Sequence, residues 1–171
     1  MVAAQPSIAE IWSLMSGIPD PEIPVLSIVD LGIVRDVRWS EDHELIITIT
    51  PTYSGCPAMD VIASDIRSSL KDHGISAFRL QTKLSPAWTT DWMSDEAKDR
   101  LRSYGIASPA RRLISTAEIA PLRSSKTQTP VQCPHCGSEA TTVISCYGST
   151  PCKALYRCSA CLEPFDVFKQ H

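Results

Sequence analysis

The chain has 171 residues, 43% of them hydrophobic, and a formal net charge of -3. That is enough for one ordinary core of about 100 residues plus a smaller appendage. Residues 1–105 carry 9 Lys+Arg against 15 Asp+Glu, residues 106–130 carry 4 against 1, and residues 131–171 carry 3 against 3. Non-specific nucleic-acid affinity comes mainly from Lys/Arg contacts with phosphate, so an acidic body and a neutral tail disfavour a nucleic-acid partner, despite Arg111, Arg112, Arg123 and Lys126 between them. No apolar run approaches the ~20 residues that a bilayer requires, and the segment MVAAQPSIAE lacks a basic leader. The expectation is no membrane and a cytoplasmic setting, where paired CxxC units bind metal or do redox work rather than form structural disulfides.

Ser7 and Glu10 have capping-box spacing, and Ile8, Ile11, Trp12 and Met15 recur on one helical face, so a helix opens the chain and stops near Gly17. Asp20-Pro21-Glu22-Ile23-Pro24 cannot continue it, because each proline lacks an amide donor and restricts its predecessor. Val37 and Trp39, then Leu45, Ile47 and Ile49, alternate on either side of a polar turn, predicting an antiparallel hairpin. A second helix bears Met59, Ile62, Ala63, Ile66 and Leu70 and stops at Gly74. Phe78, Leu80, Thr82 and Leu84 alternate as a third strand, and Ser94 caps a short helix with Ala97, Leu101 and Tyr104. The fold expected is α+β: a small α-β-β-α-β domain with a mixed sheet over residues 1–105, then a linker over 106–130 with one helical turn near Thr116 to Ile119, then a zinc ribbon over 131–171.

Six of the seven cysteines fall within 29 consecutive residues. Cys133-Pro134-His135-Cys136-Gly137 and Cys158-Ser159-Ala160-Cys161 are two CxxC turns separated by 21 residues, close to the usual spacing of four-thiolate zinc sites. Cys133, Cys136, Cys158 and Cys161 are therefore the expected ligands of one structural zinc. A redox dithiol pair and an iron-sulfur cluster on the same thiolates are the alternatives. So small a module has little apolar core, which makes metal binding a large part of its folding energy. Cys146 and Cys152 exceed a tetrahedral set. Cys152 reads as a small buried thiol and Cys146 has no assigned role.

The lone Cys56 stands in Gly55-Cys56-Pro57, at the entrance of the second helix. A thiol there faces free amides and the positive end of the helix dipole, which favours thiolate; a buried structural cysteine is the competing reading. A thiol enzyme would need a base beside Cys56, and none of the four histidines sits in a recognisable Cys-His pattern. Trp12 and Trp39 lie on predicted core faces, whereas Trp88 and Trp92 fall in a loop and could anchor a partner.

Three motifs in order, Asp20-Pro21-Glu22-Ile23-Pro24, Ser27-Ile28-Val29-Asp30-Leu31-Gly32-Ile33-Val34 and Pro51-Thr52-Tyr53-Ser54-Gly55-Cys56-Pro57, resemble the SufT-like iron-sulfur-assembly domain family. The resemblance covers roughly residues 5–105 and includes the loop with Trp88 and Trp92. With Gly148-Ser149-Thr150-Pro151-Cys152-Lys153-Ala154-Leu155-Tyr156-Arg157-Cys158 and Glu163-Pro164-Phe165-Asp166, the whole chain resembles the D-subunit family of bacterial phenylacetyl-CoA epoxidase systems. This implies a non-enzymatic maturation role in phenylacetate degradation, delivering iron or an iron-sulfur cluster to the di-iron oxygenase or the iron-sulfur flavin reductase. It also implies that Cys56 is the transfer thiolate, with Asp20 and Glu22 as acidic neighbours and Thr52 and Ser54 shaping the loop. A homodimer sharing one [2Fe-2S] unit between two Cys56 thiolates is the arrangement one such sulfur per chain allows. The rival expectations are a non-catalytic structural subunit of the oxygenase complex and a thiol-dependent enzyme using Cys56.

Overall fold

The computed structural model describes residues 5–108 and 131–169, which form two compact units divided between Tyr104 and Gly105. The turn expected near Thr116 to Ile119 lies outside the described residues. No helix of the described residues is long and apolar enough to cross a membrane.

The first unit opens with α1 (Ile8–Ser16), whose capping box is complete: the Glu10 amide donates to Ser7 Oγ at 3.2 Å and the Ser7 amide to Glu10 Oε2 at 2.7 Å. Ile11 and Met15 are its buried residues. β1 (Val34–Trp39) and β2 (Leu45–Ile49) pair antiparallel, and α2 (Ala58–Asp72) carries the chain to β3 (Phe78–Thr82), which pairs with β2 in parallel. A parallel pair cannot be joined by a tight turn, and α2 supplies the crossover. The sheet order β1-β2-β3 puts β2 in the centre. Every residue of β2 is buried, Ile46 and Thr48 included, so the alternation expected from Leu45, Ile47 and Ile49 is replaced by burial on both faces. Ile62, Ile66 and Leu70 form the buried face of α2, and Gly74 follows it at φ +75°.

Beyond β3 the chain folds back over residues 27–35. Trp88 is buried and its indole donates to the Leu31 carbonyl at 2.8 Å, which makes it a clamp inside this unit rather than a loop anchor for a partner. Trp92 ends a short 3-10 turn (Thr90–Trp92) and stacks under the Arg35 guanidinium at 3.4 Å. Gly32, at φ +68°, passes so close that an added Cβ would meet Trp92 Cβ at 2.9 Å and its carbonyl oxygen at 3.2 Å. Gly32→Ala is therefore expected to cost about 2 kcal/mol, from left-handed strain plus overlap with backbone that cannot yield. Thermal unfolding of the variant measures it, and an unchanged midpoint would contradict the close approach. α3 (Asp95–Ser103), capped by Ser94, buries Ala97 and Leu101, while Tyr104 stays exposed at its end.

The second unit is one sheet in the order β4-β7-β6-β5. β5 (Thr141–Ser145), β6 (Lys153–Cys158) and β7 (Pro164–Phe168) form an antiparallel meander. The fourth strand, β4 (Ile106–Ala107), pairs parallel with β7 through Asp166 and Val167. Ile106 and Ala107 thus leave the expected linker and close an edge of this sheet; two residues are too few to show a period in sequence. Ala107, Cys133, Cys158, Phe165 and Val167 make its core.

Candidate metal centre and thiol site

The ribbon's four cysteines converge: the sulfurs of Cys133, Cys136, Cys158 and Cys161 all lie within 4.8 Å of one another. Two turns present them. In the first, the Gly137 amide donates to the Cys133 carbonyl at 2.9 Å with Gly137 at φ +75°. In the second, the amides of Ala160 and Cys161 point at Cys158 Sγ at 3.4 and 3.5 Å, and Leu162 takes the matching left-handed position at φ +66°. Sulfur separations of 3.8 Å for Cys133 to Cys161 and 3.6 Å for Cys136 to Cys158 can be compared with a tetrahedron. A metal with bonds of about 2.3 Å to sulfur demands edges of about 3.8 Å, so the donor set fits one tetrahedral ion. A polynuclear cluster distributes its thiolates over several irons and separates them further.

The four sulfurs also set one another's ionisation. Amide donation from Cys161, reinforced by Ala160 and Cys136 against desolvation, brings the Cys158 thiol down to about 6. Cys161 goes the other way, up to about 12: the Glu163 amide lowers it, but desolvation and the sulfurs of Cys136, Cys158 and Cys133 prevail. One thiolate forms readily and the next is disfavoured, so a cation shared by the four sulfurs would stabilise their ionised form. His135 is exposed in its knuckle, and the ligand set closes without it. Cys152 is buried beside Thr150, whose hydroxyl lies 2.9 Å from its sulfur, and Cys146 is exposed.

Cys56 sits at the C-terminal end of β2, the end where parallel strands of α/β sheets commonly place binding loops. The preceding turn is closed by the Cys56 amide donating to the Tyr53 carbonyl at 3.3 Å, with Gly55 at φ +89°. Pro57 brings no capping side chain to α2, and the Ala58 amide acts to lower the Cys56 thiol. The half-buried thiol differs from the sequence expectation in one respect. Burial pushes it above its ordinary value, outweighing the Ala58 amide and the Tyr53 hydroxyl, and the carboxylates of Glu22 and Asp20 add to the rise. At rest Cys56 is a protonated thiol, because half-burial and two acids defeat the helix terminus.

Those acids lie within electrostatic reach of the sulfur, but among the described residues only the ribbon cysteines form a convergent ligand cluster. Asp20 is buried, and its Oδ1 accepts from the amides of Glu22 and Ile23 at 2.9 and 2.8 Å, so it shapes the loop as well as charging it. Glu22 and Thr52 are half-buried and Ser54 is exposed. Sequence reasoning passed over Tyr53, between Thr52 and Ser54. Its hydroxyl is buried, and it is one of the groups that hold the Cys56 thiol down against burial. A tyrosine among polar loop residues is the only signal the sequence offers.

A thiol among carboxylates releases its proton when a cation arrives. Binding of cobalt(II) at Cys56, with the ribbon's own metal left in place, is expected to strengthen about tenfold per pH unit between pH 6.5 and 7.5. Calorimetric titration at the two values checks this, and a pH-independent affinity would contradict it.

The chain is 49% identical to the Escherichia coli (strain K12) protein assigned as the D subunit of 1,2-phenylacetyl-CoA epoxidase, over 97% of this chain and 94% of that one. It belongs to the D-subunit family of phenylacetyl-CoA epoxidases. The model of the PaaD zinc beta ribbon domain matches residues 118–169, and that of the iron-sulfur cluster assembly protein matches residues 8–74. This member of the D-subunit family is also 34% identical over 89 residues to an Fe-S protein maturation auxiliary factor of Porphyromonas gingivalis (strain ATCC BAA-308 / W83), covering 52% of this chain and 84% of that one. A crystal structure of a domain of unknown function, DUF59, from Bacillus anthracis superposes with a TM-score of 0.51 at 30% identity. That match covers 55% of this chain and 90% of the other.

Proposed function

We propose that this chain is a non-enzymatic accessory protein of the phenylacetyl-CoA epoxidase system, assisting delivery of iron or an iron-sulfur cluster to the epoxidase components. The observation that carries the reading is near-full-length identity to an epoxidase D subunit combined with shorter identity to iron-sulfur maturation factors. The residues of transfer are Cys56, Asp20 and Glu22, in the loop shaped by Thr52 and Ser54. A single half-buried sulfur that resists ionisation until a cation arrives holds metal transiently, and two carboxylates attract the cation without sealing it in. A pair of chains could share a [2Fe-2S] unit through their two Cys56 sulfurs.

In the same reading the ribbon's ion is zinc, held by Cys133, Cys136, Cys158 and Cys161 with no position left for a reactant. The ribbon is then the docking module, and the exposed Val143, Ile144 and Tyr147 on and beside its outer strand β5 give it apolar surface for a client. A cytoplasmic setting suits seven free thiols. The placement of His43 beside Gln5 and of His73 on the Ser69 carbonyl supports a thiol that ligates rather than one that needs a base.

The second reading, a structural part of the oxygenase complex, draws on the E. coli relative's being named as a component of the epoxidase itself. One experiment separates them. The oxygenase and reductase components are purified from cells with and without this protein and their iron is measured. Under-metallated components in its absence support delivery, and fully metallated ones leave only the structural role.

A further inference from the structure

The two sheets of the described residues have four edges, and three of them are blunted. β1 carries a bulge between Val34 and Asp36, β5 carries one between Val143 and Ser145, and β4 is only two residues long. β3 is the exception: Phe78–Thr82 runs in unbroken register with β2, and among the described residues no strand covers its other side. The Leu45 amide donates to the Ala77 carbonyl and the Lys83 amide to the Ile49 carbonyl, each at 2.9 Å. Odd-numbered residues therefore turn their backbone to β2, and Phe78, Leu80 and Thr82 turn theirs outward. The side chains of this edge sort by face as well. Phe78 and Leu80, beside Leu45 and Ile47, are half-buried, and Leu84 just past the strand is 61% exposed, which gives that face an apolar margin. The other face bears Arg79 and Lys83, both exposed, and residues 75–90 contain no acid. Arg79 is ion-paired with Glu44 at 2.7 Å, whereas Lys83 has no ion pair among the described residues. Two copies of this edge laid together would collect the cations of both, which opposes self-pairing. An acidic strand meets no such opposition.

Resting on the delivery role proposed above, we propose that the free edge of β3 docks an extended client segment in which apolar and carboxylate side chains alternate, adding it to the sheet as a fourth strand. The outward backbone of Phe78, Leu80 and Thr82 supplies the hydrogen bonds. Phe78, Leu80 and Leu84 select the apolar residues, and Lys83 with Arg79 selects the carboxylates. The position suits transfer. β2 and β3 are parallel, so Lys83 and Leu84 lie at the same end of the sheet as the loop that follows β2 and carries Cys56. A client segment paired with β3 is held on the side of the domain where the thiol stands.

The test uses the full chain with its ribbon metal in place and a short capped peptide of alternating glutamate and valine, followed by amide hydrogen exchange in NMR spectra. Binding is expected to slow exchange at Phe78, Leu80 and Thr82 about tenfold, while Arg79 and Gln81, already turned to β2, change little. Thr82→Pro removes one outward donor without touching the ladder to β2 and is expected to weaken the peptide about tenfold. Lys83→Glu, which leaves the backbone alone, is expected to weaken it by a similar factor and keeps the test decisive if the proline variant folds poorly. The oxygenase or the reductase component, added in excess, should displace the peptide. Unchanged exchange at the three amides, equal binding of a lysine-valine peptide, or displacement by neither component overturns the proposal. So does a wild-type chain that sediments as a dimer beside a monomeric Thr82→Pro chain, because the edge then belongs to a second copy. None of these readouts involves iron. The edge can fail while delivery through Cys56 stands, and components fully metallated without this chain end the delivery reading whatever the peptide does.

Discussion

Stripping the metal from the four-cysteine ribbon is expected to unfold residues 131–169 while the assembly domain stays native. The reason lies in the cluster of Ala107, Cys133, Cys158, Phe165 and Val167, where two of the five members are expected metal ligands. Without an ion, the remaining buried apolar side chains, Ile106, Ala107, Ala154, Phe165, Val167 and Phe168, are too few to offset the entropy of ordering the strands, and structural zinc sites contribute on the order of 10 kcal/mol to such folding. Cys158→Ser should do the same without a chelator. It removes a fully buried sulfur on which two amides converge and leaves a harder oxygen that binds zinc less well. The check is an amide NMR spectrum before and after chelation. Collapse of ribbon resonances beside intact resonances from residues 5–104 is expected, and a dispersed ribbon spectrum without metal would contradict the account.

Cys56→Ala is expected to reduce activation of the epoxidase components at least tenfold in cells, with ribbon metal content and thermal stability close to wild type. Loss of one half-buried thiol costs about 1 kcal/mol or less, so instability cannot imitate the effect. Cys56→Ser sharpens the reading, since a hydroxyl of similar size preserves the packing but is a poor ligand for iron at neutral pH. Equal failure of both variants points to sulfur ligation; survival of either removes Cys56 from the chemistry. Complementation of a deletion strain, scored by the iron content of the purified components, measures it.

Much of this architecture was written in local patterns. Ser7 and Glu10 announce the first helix through two reciprocal hydrogen bonds that need no tertiary context, and Gly74 ends α2 because a left-handed residue is required there. The two CxxC turns carry their own geometry, and their spacing led to the convergent sulfurs. What stayed hidden depends on long-range competition. β2 gives no sign that Thr48 is as buried as Ile47, because its position between two strands is set by the parallel return of β3. Ile106 and Ala107 become a strand only because β7 offers an edge. Leu162 holds a left-handed conformation that Gly137 advertises in the other knuckle but a leucine does not.

The thiol site divides in the same way. Gly55-Cys56-Pro57 gave the position of the sulfur and the helix end beside it. The sign of its ionisation was not legible, because it is a balance between an amide and a hydroxyl on one side and burial with two carboxylates on the other. Tyr53 was missed since an aromatic in a loop carries no label saying which way its hydroxyl turns. Both omissions bear on how the site works: a protonated, acid-flanked thiol is one that a cation must open.

Movement of iron from this chain to an epoxidase component is the central claim, and it can be watched directly. The full chain is loaded with 57Fe, mixed with apo-oxygenase or apo-reductase beside a chelator that captures free iron, and the components are separated and examined by Mössbauer spectroscopy. The account predicts that the label appears in the client despite the chelator and that the Cys56→Ala chain transfers none. Label that reaches the client no faster than from free iron, or that moves equally well from the alanine variant, would contradict it.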